Sequence, residues 1–344
     1  MNRILLLLML AIVLLFLVLL FLFLLLIFYR LRQVKRKKTI QNYIERYQEK
    51  WISYLVDDEL SPEQLKPANA VEMEAVDELF FRLRYHFDSE ELTKKINDYA
   101  SEYMESYYLK QLTHRNPSIR INVLYKIYLY DLTFLHDAII KQLEKKVHSK
   151  EEYLVLCKIV AKNFQTDFAP YYINPKIPLG EFDYKRLLVE LDKSQIELLA
   201  EDFDDLPDLL KFTILDIVGA NHYLDWLPLM HHCLDSPIQE LRIRALKNIA
   251  LLEVADAYSV YEKFASSTVW EERLMAAKIF AFSPQEQAEA VLNRLITDSS
   301  YAVRLQAAKS MKSLKNGQQA LDSVITNSSD AFAVDLAEEM LGKE

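Results

Sequence analysis

The sequence predicts an all-α fold: one apolar N-terminal helix followed by an α-α superhelix of stacked helical units. Three observations carry that expectation. Residues 4–28 are 25 consecutive apolar residues, 14 of them Leu. No stretch of alternating apolar and polar residues bounded by hairpin turns occurs in the chain. The C-terminal half repeats itself every 31 residues; a fixed period of this kind marks stacked units, because one helical hairpin cannot bury its apolar face alone.

Composition removes several classes of site at the outset. The 344 residues include only 4 glycines, Gly180, Gly219, Gly317 and Gly342, and no two lie closer than 25 residues. A phosphate-cradling loop, a dinucleotide fingerprint and a nucleophile elbow each need two or more glycines within about six positions. None of the three fits this chain.

Taken in order, the first element is the apolar run. At about 1.5 Å per residue it makes roughly 37 Å of helix, enough to cross a bilayer core of about 30 Å. It exceeds the roughly 7–15 apolar residues of a signal peptide. It also ends in Phe28, Tyr29 and Arg30 rather than in small residues, so a retained anchor is expected. One cation precedes it, Arg3, and six follow: Arg30, Arg32, Lys35, Arg36, Lys37 and Lys38. The positive-inside rule then predicts a single-pass inner-membrane protein of bacterial type, N-terminus out, with its soluble part in the cytoplasm. Two cysteines, Cys157 and Cys233, agree with a reducing compartment. The six cations are also candidate lipid contacts, although a topology signal alone accounts for them. Beyond residue 38 there are 34 basic and 50 acidic residues, a balance of −16, which argues against a nucleic-acid partner.

Ile40, Tyr43, Ile44, Tyr47, Trp51 and Ile52 share one helical face, so a helix is expected to continue from the span into the body. Similar spacing predicts helices over residues 71–87 and 90–112, the second opened by a capping box from Asp88 to Glu91. Ser149 and Glu152 form another, opening a helix through Cys157. Tyr99, Tyr103, Tyr107, Tyr108, Tyr125, Tyr128 and Tyr130 fall at core spacing and are expected to pack between helices. Residues 165–183 carry Pro170, Pro175, Pro178 and Gly180 and read as a long loop that divides the chain. The expected organisation is therefore 1–38, anchor and basic segment; 39–164, N-terminal helical region; 165–183, loop; and 184–344, repeat domain. Within the loop, Tyr171 and Tyr172, with Phe168 beside them, are the candidate partner contacts.

The repeat is read from four positions. Lys211, Arg242, Arg273 and Arg304 stand 31 residues apart; Ala245, Ala276 and Ala307 follow each Arg by three; Val218, Ile249, Phe280 and Met311 follow by seven. The units open DLPDLLKFTIL, DSPIQELRIRAL and DSSYAVRLQAA. These units resemble HEAT repeats, specifically the short kind also found in bacterial lyase-like HEAT proteins, over about residues 194–344. Residues 116–124, NPSIRINVL, show the same turn and Ile–Arg pair, whereas residues 130–192 depart from the pattern. The resemblance implies that the alanines let helices approach closely. It also implies that the arginines are structural, pairing with turn aspartates of neighbouring units, here Asp235 and Asp298, and that the protein binds other proteins.

No set of residues in the sequence makes a catalytic or metal-binding constellation. His231 and His232 point about 100° apart on a helix and cannot both face one ion with His222 and Cys233. Some HEAT-repeat enzymes bind two irons through His-Glu dipeptides, yet none of the seven histidines is followed by Glu. Glu201, Asp202, Asp204 and Asp205 read as a solvated turn, and Cys157 as core. No catalytic residue, cofactor, metal or small-molecule substrate is expected. The sequence thus points to a membrane-anchored cytoplasmic scaffold or adaptor for a protein partner. Two alternatives are an enzyme or enzyme subunit with an unrecognised metal or acid–base site near residues 165–183, and a periplasmic envelope assembly factor of opposite topology.

Overall fold

The computed structural model describes residues 2–57, 59–145, 149–164, 167–254 and 258–342, with backbone only at residues 2 and 4. It is helical throughout, with no strand among the described residues. The chain forms two compact units, Met1–Asp167 and Phe168–Glu344. In the first lie α1 (Asn2–Leu55), α2 (Ala70–His86), α3 (Glu90–Tyr103), α4 (Glu105–Leu112), α5 (Pro117–Tyr130), α6 (His136–Glu144) and α7 (Lys150–Asn163). The second holds α8 (Ala169–Ile173), α9 (Glu181–Leu188), α10 (Lys193–Leu199), α11 (Asp208–Ala220), α12 (Leu227–Cys233), α13 (Gln239–Leu251) and α14 (Tyr258–Glu262). It continues with α15 (Trp270–Ile279), α16 (Gln285–Leu295), α17 (Tyr301–Ser313), α18 (Gly317–Asn327) and α19 (Ala331–Leu341).

In unit 1 the apolar run and the first amphipathic stretch form one unbroken helix, α1. Its large side chains from Leu5 to Phe28 are all exposed, whereas Ile44, Trp51 and Leu55 are buried. Trp51 sits at the centre of an aromatic core, edge-on to Phe80 at 5.2 Å and to Tyr99 at 4.9 Å. Such edge-to-face pairs set ring edges against ring faces and add to area burial. The Tyr99 hydroxyl donates to the Leu65 carbonyl at 3.0 Å, which satisfies its polar tip inside the core.

Three sequence expectations shift here. The capping residue of α3 is Ser89, whose side chain accepts from the Leu92 amide, and not Asp88. The single helix expected over residues 90–112 is broken at Met104, which leaves the helical region at φ −126°, ψ 3° and is fully buried. Residues 165–183 are not one loop: residues 165 and 166 lie outside the described residues, α8 occupies Ala169–Ile173, and Gly180 caps α9. Ser149 caps α7 through the Glu152 amide at 3.2 Å, where the sequence places it.

Unit 2 is built on six helices packed in sequence order, α9 on α11, α11 on α13, α13 on α15, α15 on α17 and α17 on α19. Helices α12, α16 and α18 pack against α13, α17 and α19. Ala245, Ala276 and Ala307, and the apolar positions Val218, Ile249, Phe280 and Met311, are all fully buried. A small residue at the first set keeps neighbouring backbones close, and the larger residues fill the layer behind. Gly219 marks the tightest approach: a Cβ there would lie 2.1 Å from Oδ1 of Asn248, whose amide donates to the Leu215 carbonyl at 2.6 Å.

Candidate functional site

The repeated arginines join successive units. Nε of Arg242 donates to Glu272 at 2.7 Å, and its other arm to the Ser236 carbonyl at 2.9 Å, six residues back. Arg273 makes a two-armed pair with Asp298, at 2.6 and 2.8 Å, and reaches the Ser267 carbonyl at 2.8 Å. Arg304 bonds the Asp298 carbonyl and, at 2.9 Å, the Asp330 carboxylate. Burial works against the charge of Asp298, but the Arg273 guanidinium overcomes it and holds the carboxyl below the usual range. Hydrogen bonding from Arg304 does the same for Asp330. Lys211 instead donates within its own unit, to the Asp204 carbonyl at 2.7 Å, with the Asp208 carboxylate 3.8 Å away.

One expected partner is replaced. Asp235 meets Lys263 at 2.7 Å, and the acid that receives Arg242 is Glu272, from the first turn of α15. The divergent unit in the N-terminal half uses the same device. Arg120 donates to Glu152 at 2.6 Å and to the His114 carbonyl at 2.8 Å, again six residues back.

The candidate partner contacts in the former loop are corrected by burial. Phe168 and Tyr172 are fully buried and pack edge-on against each other at 5.1 Å, so their rings face the core of unit 2. Tyr171 alone is half-buried. A different aromatic set stands on the surface: Trp270, Tyr301 and Phe332 are 44%, 64% and 71% exposed. Each lies in the first turn of its helix, on α15, α17 and α19, and they are spaced 31 residues apart, at the repeat period. Phe332 lies 5.6 Å from the Arg304 guanidinium. The period was already legible in the sequence: the ladder lies three positions before Arg273 and Arg304 and before Asp335, which stands at the equivalent position of the last unit, whereas Gln239 holds that place before Arg242.

The metal-reading residues separate. Nε2 of His231 meets the Tyr261 hydroxyl at 2.8 Å and that of His232 meets Asp204 at 3.0 Å. Among the described residues no group of three or more His, Cys, Asp or Glu is arranged to hold a metal ion. Cys157 and Cys233 are buried free thiols, each pushed up to about 12 by burial.

The basic segment lines a concavity of about 1310 Å³. Arg32, Lys35, Arg36 and Lys37 line one wall, on α1; the other is built from α2, α4 and α5, with Asp77 buried in its depth. Asp77 accepts from Tyr107 at 3.2 Å, Tyr108 at 2.9 Å and Lys126 at 2.5 Å, while Tyr130 donates to its carbonyl at 3.1 Å. Burial and the Asp77 charge together push the Tyr108 phenol well up. Arg30 and Lys38 are exposed and lie outside the cavity lining.

No protein-family model matches the chain, and no curated protein matches it. Among solved structures it is similar to YibA of E. coli, at 13% identity over 75% of this chain and 98% of that one, with a TM-score of 0.41. An engineered protein matches at 16% identity over 78% and 96% of the two chains, with a TM-score of 0.24.

Proposed function

We propose that the chain is a membrane-anchored adaptor whose helical-repeat solenoid, of HEAT-like type, holds a protein partner at the inner membrane. The observation that carries the reading is the exposed ladder Trp270, Tyr301 and Phe332, one aromatic in each of the last three repeats, on helices that pack in succession. Large aromatics with few rotatable bonds dominate protein interfaces, and a stacked array presents them along one extended edge. The anchor reading draws on α1, the one helix among the described residues long and apolar enough to cross a membrane. The six cations after it support, by the positive-inside rule, a cytoplasmic side for the body. The body beyond residue 38 carries −16, so the partner segment is expected to pair Lys or Arg with apolar residues, the cations stacking on the ring faces.

The test is affinity purification of the full-length protein from native membranes in mild detergent, with mass spectrometry. A stoichiometric partner is expected that is lost from W270A/Y301A/F332A and kept by L251A/F282A, which removes two other half-exposed side chains of unit 2. Loss from the second variant with retention by the first overturns the ladder assignment; a protein that comes out alone overturns the adaptor. Orientation is read separately: a C-terminal reporter active only outside the cytoplasm should stay silent.

A further inference from the structure

The cavity beside α1 contains three carboxylates, and each is already engaged by a cation of the same cavity. Glu74 takes Arg36 at 2.6 Å, Glu78 takes Arg82 at 3.2 Å, and Asp77 takes Lys126 at 2.5 Å. Three cations of the lining, Arg32, Lys35 and Lys37, have no carboxylate opposite them among the described residues. All three are exposed and belong to α1. The uncompensated charge therefore lies on one wall of a concave site whose other wall is neutralised. Concavity matters because low-dielectric walls concentrate the field of the surplus cations into the space between them.

Their height along α1 specifies what could reach them. Helix α1 runs unbroken through the end of the apolar stretch. At about 1.5 Å per residue, Arg32 stands roughly 6 Å beyond Phe28, and Lys35 and Lys37 roughly 10 and 14 Å. The headgroup layer on each side of the hydrocarbon core is about 5–8 Å deep. Lys and Arg side chains add further reach toward that layer, since their stems extend while the charge stays in the polar zone. Tyr29, also in the cavity lining, follows Phe28 directly, where the end of a span would favour its amphipathic ring.

We propose that this cavity binds the phosphate headgroup of an anionic phospholipid, held by Arg32, Lys35 and Lys37, with the acyl chains lying along the apolar run of α1. The proposal rests on α1 being a membrane span. The ligand chemistry is a phosphate anion, and the bilayer is its source.

Full-length protein is reconstituted in phosphatidylcholine nanodiscs containing a minority of phosphatidylglycerol, and the lipid retained on the protein after detergent extraction is counted by native mass spectrometry. Phosphatidylglycerol should be enriched on the wild type. The R32A/K35A variant should lose about tenfold of that enrichment. The charge-matched R30A/K38A variant, which removes two exposed cations outside the cavity, should keep most of it. Equal loss from both variants would reduce the effect to a diffuse basic patch and overturn the site, as would no enrichment on the wild type. Displacement of the lipid by millimolar inorganic phosphate would assign the cavity to a soluble anion and overturn the lipid source. If the protein does not remain with pure phosphatidylcholine bilayers after a salt wash, the anchor reading itself fails and the lipid assignment falls with it. Stable insertion without phosphatidylglycerol preference refutes the cavity alone.

Discussion

Glu272 shows what the repeated arginines do for individual side chains. Its carboxylate is almost fully buried and accepts from Arg242 at 2.7 Å and the Ser267 hydroxyl at 2.5 Å. A buried charge that loses its partner keeps the whole desolvation penalty, so R242A should destabilise unit 2 by about 3–5 kcal/mol, while R242M/E272L should recover most of that loss. Urea unfolding of the two variants in detergent checks both values. The period identified Arg242 but not its acid. Equivalent positions recur at 31, whereas Glu272 and Asp298 approach their arginines from a helix turn in one unit and from an interhelical turn in the other. Register along the chain carries no information about that choice. A second charged group has a readable pH signature. Hydrogen bonds from Arg244 and then Lys185 lower Glu181 from 4.5 to about 2. A carboxyl depressed by folding contributes stability that is complete above its unfolded value and is lost as pH falls through its folded one. The melting temperature of the wild type should therefore fall between pH 4.5 and about 2, and E181Q should flatten part of that slope.

At the scale of the element, what the sequence discloses depends on whether a break has a chemical marker. Helix α7 opens at Ser149 because a side-chain oxygen caps the Glu152 amide, and such caps are written in residue type. The break at Met104 has no Gly or Pro, and the apolar spacing of Tyr99, Ala100, Tyr108 and Leu112 runs straight through it. Tertiary contacts decide it: α4 brings Tyr107 and Tyr108 to the buried Asp77. The aromatic spacing holds for the buried Tyr99, Tyr108 and Tyr130 but not for Tyr125, which is exposed, and the acid at the edge of that core was not legible, because Asp77 looks like any exposed helical carboxylate until three donors from α4 and α5 converge on it. Gly219 is a similar case. In the sequence it counts only as one of few glycines, yet it is where Asn248 of α13 enters against α11. G219A drives a methyl into that side chain and should cost about 1–3 kcal/mol by overpacking. Because the two residues touch, G219A/N248A should be less destabilised than the sum of the single variants, a coupling that a double-mutant cycle measures directly.

For the molecule as a whole, the repeat makes stability a matter of neighbours. In a stacked array each unit contacts only those beside it, so an insult at one interface is felt locally and fades with distance along the array. Ala276 lies on α15, which packs against both α13 and α17, and it is fully buried. A276L should wedge these helices apart and cost about 1–3 kcal/mol. Hydrogen exchange resolves where the loss goes. Protection should drop in α13, α15 and α17 and be better kept in α9, which packs mainly on α11 and is tied to α13 through the Glu181–Arg244 pair. Uniform loss over unit 2 would show that the repeats fold as one indivisible block. The same logic bears on the surface ladder. Trp270, Tyr301 and Phe332 stand in the first turns of adjacent helices, outside the layers that Ala276 and Ala307 hold closed. Removing the three rings should leave the melting temperature nearly unchanged, since surface substitutions away from core features stay within about 0.5 kcal/mol. Opening the interface at Ala276 should disturb the spacing between rings without touching any of them. A partner that reads the ladder as a unit should therefore bind A276L more weakly than wild type, even where the variant remains folded.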